Sequence, residues 1–283
     1  MSGTVLTALR TELERTNYAG RTVTLAEGAA VTAALTVATA VLGRRTDALV
    51  LGAVGALGLA DDLLEPRQRR AGRAVAKGLR GHLGALRAGR LTTGAAKALG
   101  IPALALVATV TAPADRPDRD RPADAALMLT DAALVAGTAN LVNLLDLRPG
   151  RALKVVIPAA AALTVPGLPE PADGDATGRG RSGRALGAAA LLPAAAAVVP
   201  DLRERGMLGD AGANVLGAAV GLAMTRRASS PARLALLAMV AALTLSSERV
   251  SFSAVIDRTP LLRAVDRWGR LPAPAGTDPE QTG

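Results

Sequence analysis

The sequence predicts an all-α fold: a polytopic membrane helix bundle of about eight transmembrane helices, within a range of roughly 8–10, followed by a C-terminal amphipathic helix. Two observations lead to this class. Half of the 283 residues are hydrophobic and the mean hydropathy is +0.30, which is unlike an ordinary soluble domain. Apolar runs long enough to cross a bilayer also recur along most of the chain.

The predicted transmembrane runs are spread between the N-terminal and C-terminal segments. They cover residues 23–42, 46–61, 94–112, 124–146, 152–167, 184–200, 209–225 and 231–247. After them, VSFSAVIDRTPLLRAVDRWGRL interleaves apolar and basic residues, which predicts an amphipathic helix on the membrane surface with Phe252 and Trp268 as anchors. We therefore predict one integral membrane domain over residues 1–270 and a disordered tail over 271–283.

The charge pattern predicts the orientation of the bundle. The net charge of +9 comes from short basic blocks between apolar runs, without interleaved aromatic residues, so it predicts membrane topology and no nucleic-acid partner. If the basic stretch from Arg67 to Arg90 is cytoplasmic, most other cations fall on the same side; fewer fall opposite, among them Arg179, Arg226 and Arg233. Both termini are then expected in the cytoplasm, with the protein in the cell (cytoplasmic) membrane.

Two polar motifs end predicted spans on the cytoplasmic side. Asp61 and Asp62 close the second run in LGLADDLLEPRQRR. Asn140, Asn143 and Asp146 close the fourth at i, i+3 and i+6, so each step rotates by about 60° and the three side chains share one helical face. Each motif alone has an ordinary interpretation, a solvated helix cap for the aspartates and helix-packing hydrogen bonds for the asparagines.

A third motif, RGMLGDAGANVLG, opens the seventh run on the same side. Asp210 lies at the predicted helix start, where Gly209 and Gly212 remove side-chain bulk and free backbone N–H groups suit a phosphate. Asp61, Asp62 and Asp210 at one membrane level would repel each other unless a cation joined them. Oxygen ligands, no cysteine and a single histidine favour Mg²⁺ over Zn²⁺.

GLADD, NLVNLLD and LGDAGANVLG, in this order, resemble the three acidic signatures of the polyprenyl-phosphate N-acetylhexosamine-1-phosphate transferases. That family includes phospho-N-acetylmuramoyl-pentapeptide transferase and the undecaprenyl-phosphate GlcNAc-1-phosphate transferases. The resemblance extends from about Asn17 to Gly269. It implies a Mg²⁺-dependent enzyme of cell-envelope glycan biosynthesis that moves a sugar 1-phosphate from a UDP-sugar to a membrane polyprenyl phosphate and releases UMP.

The resemblance also implies roles by position. Asp61 matches the aspartate proposed to deprotonate the lipid phosphate, Asp62 its neighbour near the metal, and Asp210 the Mg²⁺ ligand. Lys97 matches a phosphate-contacting lysine, with a lysine that merely snorkels to the interface as its ordinary alternative. The predicted substrate-binding residues are Asn140, Asn143, Asp146, Gly209 and Gly212.

Several positions depart from the family pattern. NLLDLRPGR has Leu147 for a glycine and Pro149 for a second aspartate, GDAGA has Ala213 for a serine, and the last loop lacks the family's histidines. His82, the single histidine, is expected to be a surface or packing residue. These departures motivate an alternative, a non-catalytic membrane scaffold or regulator derived from the family. A transporter is less favoured because the polar motifs gather at one face, not at the bilayer midplane; a homodimer stays open.

Overall fold

The computed structural model describes residues 11–70, 92–112, 122–166 and 176–272, and these residues are helical apart from short connections and one small ribbon. The ribbon pairs β1 (Glu14–Thr16) with β2 (Thr22–Thr24) antiparallel. The long helices are α1 (Ala26–Val41), α2 (Arg45–Arg70), α3 (Thr93–Val110), α4 (Pro122–Leu145), α5 (Arg151–Thr164), α6 (Ala176–Leu202), α7 (Gly209–Arg227) and α8 (Ser230–Ser247). Two short helices, α9 (Phe252–Arg258) and α10 (Pro260–Arg267), follow.

The helical class is confirmed, whereas the number of membrane crossings is confirmed only in part. Each predicted run coincides with one of the helices α1 to α8. Four segments are long and apolar enough to cross a membrane: Thr93–Val110, Ala125–Leu145, Gly178–Leu202 and Ser230–Ser247. Helices α1 and α5 have 16 and 14 residues, fewer than the roughly 20 of a typical span. The described residues therefore indicate a multi-pass membrane protein and do not confirm eight spans.

Four local features differ from the sequence predictions. Helix α6 begins at Ala176, eight residues before the predicted run, and the C-terminal amphipathic helix is two short helices, α9 and α10. Helix α2 does not end at Asp62 but continues to Arg70, past Pro66, because the edge of an apolar run marks a change of solvent and not the end of a helix. The N-terminal ribbon, absent from the all-α prediction, forms around a tight turn. Within it the Asn17 side-chain oxygen accepts hydrogen bonds from the N–H groups of Ala19 and Arg21, at 2.9 and 3.0 Å, and Gly20 adopts φ +74°.

Helix α7 is the central helix, buried along almost its whole length. Its small residues allow neighbouring backbones to approach closely. A Cβ on Gly212 would lie 2.9 Å from the Gly28 Cα of α1, and one on Gly217 would lie 2.7 Å from the Ala139 Cα of α4. This packing fixes the first turn of α7 beside α1 and α2.

Buried ion pairs join the helices at the opposite end of α7. The Arg226 guanidinium donates to both carboxylate oxygens of Asp47, at 2.7 and 2.6 Å, and to the Ser182 hydroxyl at 2.6 Å. Arg179 and Arg233 both pair with Asp131 Oδ2, at 2.9 and 3.1 Å. These arginines, assigned to loops by the sequence analysis, are buried helix residues. Arg226 lies about 24 Å along α7 from Asp210.

Candidate functional site

Three helices bring Asp61, Lys97 and Asp210 together at one end of the bundle. The Lys97 ammonium of α3 donates to Asp61 Oδ2 of α2 at 2.9 Å and also contacts Asp210 Oδ2 of α7. Asp61 is buried, and the side chains of Lys97 and Asp210 are 20% and 24% exposed. Lys97 therefore joins two of the predicted carboxylates in one partly accessible cluster.

Asp62 caps the first turn of α7 from a neighbouring helix. Its two carboxylate oxygens accept hydrogen bonds from the backbone N–H groups of Asp210 and Ala211, each at 3.1 Å. The first N–H groups of a helix lack partners within the helix, and the helix dipole favours a negative charge there. Gly209 adopts φ +57°, and a Cβ on it would lie 3.0 Å from Asp62 Oδ2. A glycine is thus required for Asp62 to reach this position.

The acidic groups of the cluster outnumber its one cation, so the cluster can bind a further cation. When all three are ionised, Asp61, Asp62 and Asp210 carry three negative charges, and Lys97 offsets one of them. No group of three or more histidine, cysteine or acidic side chains within the described residues is arranged to hold a metal ion by itself. Mg²⁺, however, commonly takes only one or two carboxylates and completes its shell with water and substrate phosphate. Asp210, 24% exposed, together with Asp62, fits that requirement.

Asp146 lies just beyond the end of α4 and near Gly209. Burial raises the pKa of the Asp146 carboxyl well above its usual range, with further contributions from Asp201 and Glu27, although a hydrogen bond from the Gly209 backbone opposes the shift. Asp146 is thus connected to the first turn of α7, as Asp62 is. Of its predicted partners, Asn143 is partly buried and Asn140 is exposed. Gly212 is buried against α1.

A cavity of about 270 Å³ lies next to this cluster. Its walls are the ribbon turn, the α4–α5 turn and the α6–α7 loop, and they include Asn17, Tyr18, Asp146, Asp201, Glu204 and Pro149. The Arg148 guanidinium lies 4.0 Å from the centre of the ring of Tyr18, a residue that lines the cavity, in a cation–π contact. A polar ligand that enters the cavity meets carboxylates, an amide and an aromatic ring.

The sequence analysis did not single out three acidic residues near this cavity. Glu204 accepts from Arg21 at 2.8 Å and from Asn17 at 2.5 Å, which holds the ribbon turn against the α6–α7 loop. Asp201 accepts from the Gly150 N–H at 3.0 Å. Glu27, at the start of α1, lies against Gly206. For Asp201 and Glu204 the signal was the short charged segment PDLRERG, which runs into the glycine motif; Glu27 had no such signal.

Some sequence predictions lie outside the described residues. His82 and the basic stretch beyond Arg70 fall in 71–91, and most of the predicted disordered tail falls after residue 272. The three positions that depart from the family pattern lie within the described residues. Pro149 lines the cavity, Leu147 is exposed, and Ala213 is buried in α7.

Comparison with known proteins identified no match of this chain to a family model, a curated protein or a solved structure.

Proposed function

We propose that the protein transfers a sugar 1-phosphate from a nucleotide diphosphate sugar to a membrane polyprenyl phosphate. The donor is a UDP-sugar, an N-acetylhexosamine derivative, and the by-product is UMP. The observation that carries the proposal is the convergence of Asp61, Lys97 and Asp210 from three helices, with Asp62 beside them, at one end of an apolar bundle. A lipid phosphate lies at that level of a bilayer, with its chain among the helices.

The reaction joins two anions, so the site must neutralise charge. An oxygen of the polyprenyl phosphate attacks the phosphorus that carries the sugar, and the bond between the two donor phosphates breaks, so the nucleoside monophosphate leaves with the bridging oxygen. Lys97 can donate to a phosphate oxygen in place of a carboxylate. Asp61, buried beside it, accepts the proton if the lipid phosphate arrives monoprotonated.

Asp210 and Asp62 are the proposed holders of Mg²⁺. When bound, the ion supplies charge neutralisation for the diphosphate and the leaving phosphate. Asp62 also fixes the first turn of α7, which keeps the Asp210 carboxylate directed towards Lys97. The cavity beside Asp146 is the proposed place for the nucleotide-sugar, since its amide, carboxylates and Tyr18 ring can bind hydroxyl groups and a base.

We further propose that the helices α1 to α8 form about eight spans in the cell membrane, with the cluster facing the cytoplasm. The basic residues at this end of the bundle support that orientation. Arg15, Arg21, Arg148 and Arg151 all lie near the cluster or the cavity.

The test is a donor panel in lipid. Purified full-length protein is combined with Mg²⁺, a polyprenyl phosphate and each of several UDP-sugars, and released UMP is measured. We expect release with at least one donor, and its loss in Asp62→Asn and Asp210→Asn. Asp257→Asn is the matched control, because Asp257 is an exposed aspartate of α9, distant in sequence from the three motifs. Activity that survives both active-site substitutions contradicts the proposal.

A second candidate is a non-catalytic membrane scaffold. The observation that favours it is that Lys97 already contacts both Asp61 and Asp210, so the cluster can act as an interhelical ion-pair network without a ligand. This candidate predicts no turnover with any donor in the panel. It also predicts that Asp210→Asn changes stability and nothing else.

A further inference from the structure

The C-terminal helices are fastened to the same end of the bundle by one buried aspartate. The Asp266 carboxylate of α10 accepts from Arg151 Nε at 2.8 Å and from Arg270 Nη2 at 2.6 Å. Asp266 is 6% exposed and Arg151, the first residue of α5, is 4% exposed. Because a buried carboxylate between two guanidinium groups is strongly held, α10 has a defined position on the bundle.

Backbone contacts extend this attachment to the cavity. Lys154 Nζ donates to the Asp266 carbonyl at 2.7 Å, and Arg270 Nε donates to the Pro149 carbonyl at 2.8 Å. Pro149 belongs to the α4–α5 turn, residues 146–150, which carries Asp146 and forms one wall of the cavity. We call the contacts of Asp266 and Arg270 with Arg151, Lys154 and Pro149 the C-terminal latch.

The remaining surface of α10 has a different character. Leu261, Val265 and Trp268 are 73%, 51% and 77% exposed. Leu261 and Val265, at i and i+4, lie along one face of the helix, and Trp268 follows the last residue of α10. Asp266 follows Val265 and is rotated from it by about 100°, which separates the latch from the apolar face.

The polar face of α10 is positively charged. Arg263 and Arg267 are exposed on it, and Arg258 is exposed at the end of α9, whereas Asp266, the one acid of α10, is buried in the latch. An apolar face with a Trp beside a basic polar face is the pattern of helices that lie in the plane of a membrane interface. Exposed arginines next to the bilayer attract anionic headgroups.

We propose that α10 binds an anionic lipid surface, and that the C-terminal latch transmits this binding to the 146–150 turn. Leu261, Val265 and Trp268 enter the interface between headgroups and acyl chains, while the arginines contact lipid phosphates. Lipid contact thereby orders α10, and Arg270 and Lys154 in turn hold the turn that carries Asp146. The binding of α10 to lipid does not depend on the proposed transferase activity.

The first experiment uses Trp268, the single tryptophan of the chain, as the probe. Full-length protein is reconstituted in nanodiscs of phosphatidylcholine with or without phosphatidylglycerol, and tryptophan emission is recorded. We expect quenching by lipids brominated high on the acyl chain and a shift of the emission to shorter wavelength when phosphatidylglycerol is present. Emission that iodide quenches and brominated lipid does not, in both nanodiscs, overturns the proposal.

Charge variants test the lipid class. The double substitution Arg263→Gln and Arg267→Gln should remove the difference between the two nanodiscs, because the anionic attraction is lost while the apolar face is retained. An unchanged response to phosphatidylglycerol contradicts the assignment of these arginines to headgroups.

The second experiment measures transmission through the latch by hydrogen–deuterium exchange. Phosphatidylglycerol should slow exchange in both residues 252–270 and residues 146–154 of the unaltered protein. In Asp266→Asn, phosphatidylglycerol should slow exchange only in residues 252–270. In the control Asp257→Asn it should slow exchange in both segments. If Asp266 only stabilises the fold, Asp266→Asn should change exchange by the same amount in both nanodiscs. Equal lipid-dependent protection of residues 146–154 in Asp266→Asn and the control overturns the transmission step.

Discussion

Lys97 determines how the acidic cluster is balanced. Its ammonium contacts carboxylates on two other helices, and its own helix begins nearby at Thr93, preceded by Thr92, whose hydroxyl caps α3 by accepting from the Ala95 N–H at 3.1 Å. A lysine between a buried and a partly buried aspartate is held more firmly than a surface lysine whose ammonium is hydrated. The contacts therefore favour an internal counter-ion over the snorkelling alternative.

Replacing Lys97 with methionine should destabilise the protein and make its stability depend on Mg²⁺. Loss of the counter-ion leaves Asp61 and Asp210 without their cation, and we expect a loss on the order of 2 kcal/mol in the free energy of unfolding, less than for a fully buried pair because Lys97 is 20% exposed. Thermal unfolding in detergent with EDTA or with Mg²⁺ measures both effects. Adding Asp61→Asn to the variant should recover part of the loss; no recovery would contradict the ion-pair interpretation.

Asp146 should make stability fall as the pH rises. Its pKa is raised in the folded protein by burial and by Asp201 and Glu27, so the folded state binds more protons than the unfolded chain. The folded state is therefore penalised progressively once the pH exceeds the ordinary carboxyl value of about 4. We compare the melting temperatures of Asp146→Asn and the unaltered protein in EDTA. The melting temperature of the variant minus that of the unaltered protein should be larger at about pH 8 than at about pH 5. A difference that is constant with pH would contradict the raised pKa.

Single residues of the cluster could be predicted from sequence to different degrees. Asp61, Asp62 and Asp210 stand out because carboxylates beside apolar runs are costly. The capping of α7 by Asp62 could not be predicted, since it depends on how α2 crosses α7. Glu204 and Asp201 were missed for a similar reason: an acid in a charged loop looks solvated until its Arg21 or Gly150 partner is known.

At the scale of elements, small residues decide where α7 packs. The GxxxG of Gly217 and Gly221 lies against α4, near Val135 and Thr138, and Gly58 of α2 lies against the first turn of α7. Helices in a membrane associate largely through such close packing. A GxxxG spacing predicts a packed face on a helix, but not which helix covers it.

Gly217→Ala should be clearly more destabilising than Gly52→Ala. A Cβ on Gly217 would lie 2.7 Å from the Ala139 Cα, and neither backbone can move without shifting a helix. We expect a cost of about 1–3 kcal/mol from overpacking. A Cβ on Gly52 would meet Thr36 Cγ2 at 3.4 Å, an ordinary contact, so the better helix propensity of alanine should leave stability unchanged or slightly raised. Equal melting temperatures of the two variants in detergent would contradict this account of the α4–α7 contact.

The ends of the helices were predicted less well than the presence of the helices. Each apolar run coincides with a helix, because an apolar stretch in a bilayer must satisfy its backbone internally. The end of α2 and the N-terminal ribbon were not predicted. The continuation of α2 past Asp62 lies beyond the apolar run. The ribbon depends on pairing with a distant segment, since Met207 donates to the Thr24 carbonyl at 3.1 Å.

Over the whole molecule the two ends of the bundle differ in chemistry. One end has the acidic cluster, the cavity and the C-terminal latch. The other has the closed pairs of Arg226 with Asp47 and of Arg179 and Arg233 with Asp131, all buried. Leu147 and Leu42 are exposed residues that mark these ends: Leu147 follows α4 beside the cavity, and Leu42 follows α1 at the far end.

The membrane orientation can be tested with these two positions, because the chain has no cysteine and every introduced thiol is unique. If the basic blocks hold the cluster end in the cytoplasm, Leu42→Cys should react with a membrane-impermeant maleimide added to intact cells, and Leu147→Cys should react only after the membrane is opened. The exposed fractions of the two leucines, 50% and 62%, are similar, so reactivity reports sidedness and not burial. Inverted vesicles should reverse the pattern. Labelling of Leu147→Cys in intact cells would place the cluster outside, where a cytoplasmic nucleotide-sugar cannot reach it.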